Sequence, residues 1–112
     1  MAYIKNIHHE EVQKLADLVT VSEGQVVSRT LAQNDAVSVT LFAFAGGEEI
    51  GTHDSTGDAM VLVLEGTGRF TVGGKDYTVH TGETLVMPAT IPHAVHADEP
   101  FKMLLTVIFP QK

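Results

Sequence analysis

The sequence has no cysteine, which excludes disulfides, thiolate metal sites and cysteine nucleophiles together. Cationic residues are scarce: 7 Lys and Arg stand against 14 Asp and Glu, for a formal charge of −7. With no basic patch to neutralise phosphates, neither a nucleic acid nor an anionic membrane surface is expected as a partner. Aromatic residues make up only 6% of the chain, and tryptophan is absent. No apolar run approaches the roughly 20 residues of a membrane-spanning helix. The opening MAYIKNIHHEE has no apolar signal-peptide core. A soluble, cytoplasmic protein is expected.

What is present is a chain of 112 residues with 44% hydrophobic content. That suits one globular domain over residues 1–112 and leaves no room for a second. A domain this small buries only about 60–70% of its unfolded surface, so association with a second copy would help it.

Helical periodicity occurs once. Val12, Leu15, Ala16 and Val19 share a face at i, i+3, i+4 and i+7, which predicts a short N-terminal helix. Glu10 and Glu11 would sit at its positive end, with Asn6 as a candidate cap. After Gly24 the pattern becomes β: runs at 25–31, 36–44, 60–65, 69–72, 75–80, 83–87, 93–96 and 102–109, separated by turn residues. Gly73-Gly74 between two such runs marks a two-residue hairpin, because a type I′ turn needs positive φ twice. An antiparallel sandwich or barrel is expected. Met60–Leu64 is apolar at every position, so both faces of that strand require cover. The N-terminal helix is one candidate cover. A second copy of the chain is the other, and a homodimer is the expectation.

Six histidines carry most of the chemical potential of the chain. His53 lies in Gly-Glu-Glu-Ile-Gly-Thr-His before the apolar strand, and His93 lies in Pro-Ala-Thr-Ile-Pro-His. On a barrel both would point inward from neighbouring strands, and two imidazoles with a carboxylate or water suit a divalent transition metal. As neutral rings they would equally bind a ligand or water. His96, an odd number of residues from His93, belongs on the opposite face of a regular strand. His80, His8 and His9 are expected at the surface.

These stretches resemble the two sequence motifs of the cupin superfamily. Gly47, His53 and Gly66 fit the first motif, and Gly82, Pro88 and His93 fit the second, with the likeness running from about Ala36 to Phe109. The resemblance implies an all-β fold, the double-stranded β-helix or jelly-roll barrel, with an internal pocket and frequent assembly as a dimer. The motif residues lie within 47–97. The sequence departs from the family at Ser55 and Ala59, which occupy usual ligand positions, at Thr90, which replaces a glycine, and at Ala97, which replaces an asparagine. Of the four usual metal ligands, His53 and His93 carry over. Asp58, one residue from the glutamate position, is the candidate third ligand, which would give two histidines and a carboxylate.

Parity places Ser55, Ala59 and Val61 on the pocket side with His53, and Val95 with His93. Either Val39, Leu41 and Ala43 or Phe42 and Phe44 face them, and Arg29 is within reach of the mouth. The lining is mostly aliphatic, suited to a small apolar ligand with one or two polar handles. The expected function is a small barrel binding a divalent metal (iron, nickel, zinc or manganese), a small apolar ligand, or both. The alternatives are a metal-dependent enzyme of dioxygenase or isomerase type and a metal-free sensing barrel.

Overall fold

The computed structural model describes residues 2–111. Nine strands follow in order: β1 Val26–Gln33, β2 Val37–Phe44, β3 Glu49–His53, β4 Asp58–Glu65, β5 Thr67–Val72, β6 Lys75–His80, β7 Thr84–Met87, β8 His93–His96 and β9 Phe101–Ile108. They form two antiparallel sheets, β1-β2-β9-β4-β7 and β3-β8-β5-β6, wrapped around one core as the jelly roll expected from the sequence. Gly73 and Gly74, at φ 57° and 82°, turn the chain between β5 and β6 as that dipeptide requires. The one strand absent from the sequence reading is β3. Glu-Ile-Gly-Thr-His carries little β signal, and β3 gets its partners only from pairing with β8.

The uniformly apolar β4 resolves into alternation once it is folded. Ala59, Val61 and Val63 enter the core at 2% exposure or less, while Met60, Leu62 and Leu64 point outward. Of the two sets offered by β2, Phe42 and Phe44 are the inward one. Phe44 stacks on Phe101 with centroids 4.7 Å apart, and Phe70 meets Phe101 edge-on at 6.1 Å. Met87 and Met103 fill the space beside them. Leu41 and Ala43 face the other way, into a second cluster with Val19 and Leu31.

That second cluster is covered by the N-terminal segment, but not by a helix. The predicted helix reduces to one 3₁₀ turn, Leu15–Leu18, and Val12 of the predicted face stands fully in solvent. Asn6 does not cap it: Asn6 and Glu10 adopt φ of 63° and 57°, and the Asn6 side chain donates to the Thr30 carbonyl at 2.7 Å. So short an apolar repeat cannot sustain a helix unaided, and the sheet offers it hydrogen bonds instead. Lys5 N–H reaches the Leu31 carbonyl at 2.8 Å, and Lys102 Nζ reaches the Ala16 carbonyl at 2.7 Å. The cover is partial. Met60, Val86 and Ile108 remain 47%, 53% and 57% exposed on the outer face of the larger sheet.

Candidate ligand-binding site at the barrel mouth

His53 ends β3 and His93 begins β8, and the two residues are direct cross-strand partners. A register shift between Ile50 and His53 re-aims the end of β3. The result is an edge-to-face imidazole pair with centroids 4.3 Å apart and planes at 67°. His53 is exposed, whereas His93 is 5% exposed and is the one polar residue buried in the core among those described.

Each ring is oriented by a backbone carbonyl two residues upstream. His53 Nδ1 lies 2.8 Å from the Gly51 oxygen, and His93 Nδ1 lies 3.3 Å from the Ile91 oxygen. A carbonyl only accepts, so Nδ1 carries the proton in each neutral ring and the Nε2 lone pair is left open. Among the described residues the one buried side-chain polar atom without a partner is Gln13 Oε1. His93 Nε2, which makes no hydrogen bond among the described residues, therefore keeps some access to solvent. Burial first, and then the neighbouring His53, push the His93 imidazole below the ordinary histidine range; the Ile91 carbonyl and Asp54 act in the opposite direction.

Two loops beside the histidines are tied to each other. Thr90 N–H donates to the Ser55 carbonyl at 2.8 Å, and Ala89 N–H donates to Asp58 Oδ1 at 2.8 Å. Ser55 Oγ accepts from Gly57 N–H at 3.1 Å, which ties it into its own turn. Thr90, where the family pattern has glycine, keeps a left-handed backbone at φ 67° despite its branched side chain.

The site residues expected from sequence thus divide. His53 and His93 come together. Ala59, Val61 and Val95 do lie on the inner side, at 2%, 0% and 3% exposure, as close-packed core. Asp58 does not join the histidines. Strand parity opposite Ala59 puts it on the outer face, exposed and bound to Ala89. Arg29 is also outside, donating from Nη1 to the Asn6 carbonyl at 2.9 Å. His96 faces outward as parity requires, with Nδ1 2.9 Å from Glu49 Oε2. His80, His8 and His9 are exposed.

No group of three or more His, Asp or Glu able to hold a metal ion occurs among the described residues. The donor set does not fit the four-ligand centre of the family, because Ser55 Oγ is engaged, Ala59 has no donor and Asp58 faces away. What remains is the imidazole pair of His53 and His93 at the edge of the packed apolar core. The orienting carbonyls of Gly51 and Ile91 were not legible beforehand, since every residue has a carbonyl and only the fold aims these two.

A sequence model of the cupin domain matches residues 40–109. A conserved protein of unknown function from Streptococcus pyogenes superposes with a TM-score of 0.97 at 46% identity, covering 100% of this chain and 98% of that one. A cupin superfamily protein from Desulfitobacterium hafniense has a TM-score of 0.92 and 34% identity, over 97% of this chain and 100% of that one. A salicylate 1,2-dioxygenase from Pseudaminobacter salicylatoxidans shares the fold at a TM-score of 0.69 and 17% identity, over 74% of this chain and 26% of that one. No curated protein matches. No helix among the described residues is long and apolar enough to cross a membrane.

Proposed function

This chain belongs to the cupin domain family, and from that premise we propose that it is a binding barrel whose mouth captures a small, largely apolar molecule by its polar head. One observation carries the reading: the touching pair His53 and His93, both with Nδ1 on a carbonyl and Nε2 open. Two neutral imidazoles with open Nε2 atoms are acceptors, so the matching ligand presents hydroxyl, enol or amide donors. Val72, the cross-strand neighbour of His93, supplies apolar contact. The aromatic packing of Phe44, Phe70 and Phe101 fills the barrel further in and restricts the ligand to a short one.

A thermal-shift screen of small hydroxy- and amide-bearing compounds tests this. A hit raises Tm in the native protein and fails in His53→Ala and His93→Ala. Hits that act equally on both variants would refute the site.

A second reading is favoured by the same open Nε2 atoms. Two imidazoles can hold a divalent ion with water completing its sphere, and the dioxygenase neighbour shows an enzyme activity hosted on this fold. Near-stoichiometric iron, nickel, zinc or manganese in untagged protein purified without chelator, lost in both histidine variants, would replace the ligand reading with that of a metal-dependent enzyme.

The proposal includes a homodimer in a reducing cytoplasm. Met60 and Val86 are cross-strand partners, and together with Ile108 they leave an apolar strip that the N-terminal segment does not cover. A cysteine-free chain needs no oxidising compartment.

A further inference from the structure

Outside the barrel, the N-terminal segment and β1 border an open surface cleft of about 540 Å³ lined by Asn6, Ile7, His8, Leu18 and Arg29. We propose that this cleft is a second binding site, for a small organic carboxylate with a short branched apolar tail.

Acidic residues outnumber basic ones two to one, 14 to 7, yet among the described residues Arg29 has no carboxylate within ion-pair distance. The other arginine shows what a satisfied guanidinium looks like in this protein. Arg69 Nε and Nη2 are clasped by Asp98 at 2.8 and 3.1 Å, and Asp76 stands 3.7 Å away. Arg29 spends one donor, Nη1, on the Asn6 carbonyl at 2.9 Å, and makes no other hydrogen bond among the described residues. Among the described residues its Nε–Nη2 edge has no partner, and that edge matches the two oxygens of a carboxylate.

The guanidinium is also held in place. Asn6 sits at φ 63°, a conformation asparagine tolerates better than most residues, and its side chain is anchored on Thr30 O, next to Arg29 in β1. The anchor that fixes Asn6 therefore fixes the carbonyl that positions Arg29, and little ordering is left for a ligand to supply. The cleft is not uniformly polar. Ile7 and Leu18 pack against the buried cluster of Val19, Leu31, Leu41 and Ala43, and form an apolar wall beside the charge. A carboxylate head with a branched hydrocarbon tail satisfies both halves, whereas an inorganic anion would leave the wall unused.

The test is a ¹H–¹⁵N NMR titration with isovalerate, using isovaleramide as the neutral isostere and phosphate as the anion without a tail. Isovalerate should shift the amides of residues 6–8 and 29 saturably, and the other two compounds should bind far more weakly. Arg29→Gln should weaken isovalerate by roughly ten- to a hundredfold. Arg29→Lys, which keeps the charge but loses the fork, should fall between. His53→Ala should bind isovalerate as the native protein does, which separates this cleft from the barrel mouth. Equal binding of isovaleramide, phosphate binding as strong as isovalerate, an unchanged affinity in Arg29→Gln with its native spectrum retained, or no saturable shift at these residues would each overturn the proposal.

Discussion

His53 and His93 meet edge to face with ring centroids 4.3 Å apart, yet His53 is exposed and His93 is 5% exposed. Burial first, and then the neighbouring His53, disfavour the charged form of the His93 imidazole.

Stability should therefore depend on pH. The His93 pKa is lowered in the fold from 6.5. The unfolded chain binds the proton more readily, so stability rises with pH across this range. The contribution is complete above the unfolded value and is lost as pH falls through the depressed folded one. In chelator-treated protein the urea midpoint should drop between about pH 7.5 and about pH 5.5, and His93→Gln should flatten that slope. An unchanged slope in the variant would contradict this account of His93.

Thr90 supports a prediction in the opposite direction. A branched residue at φ 67° is strained. Thr90→Gly should relieve about 1–2 kcal/mol of left-handed backbone strain. It should also give back about 0.4–1 kcal/mol through the freer unfolded chain. A small net rise in the urea midpoint is expected. A fall would mean that the Thr90 side chain contributes more than its backbone costs.

Asp58 holds a loop through its bond to Ala89 N–H. Asp58→Ala removes the acceptor of Ala89 N–H, and should cost about 1 kcal/mol of stability. Any nickel uptake that depends on His53 and His93, measured calorimetrically, should be the same in this variant as in the native protein. A large loss of uptake would restore Asp58 as a ligand.

Gly68 lies against the aromatic core. A Cβ there would come within 2.7 Å of Phe101 Cε2 and 2.8 Å of Phe70 Cε1. Gly68→Ala should destabilise by about 1–3 kcal/mol through overpacking. Native thermal stability in that variant would show the rings free to move aside.

The outer strip predicts the assembly. Light scattering across micromolar concentrations should give twice the chain mass, and Met60→Asp with Val86→Asp should give the single mass. A native protein that stays at the single mass would remove the dimer.

Much of this protein could be read from its residues. Turn dipeptides and apolar runs located eight of the nine strands within two residues at each end, because turn chemistry and side-chain size act locally. His53 and His93 were legible as a pair through their motif spacing. What the tertiary structure decided was direction and company. The apolar run Met60–Leu64 could not say which face was inner; pairing of β4 with β7 and β9 set it. The repeat Val12-Leu15-Ala16-Val19 promised a helix, but the sheet gave the segment better partners, and Arg29 went with that segment instead of to the mouth. Asp58 was near enough in sequence to serve the histidines and was turned away by strand parity. Local chemistry acts through a few neighbouring residues, whereas the facing of a side chain depends on a register set by strands distant in the chain.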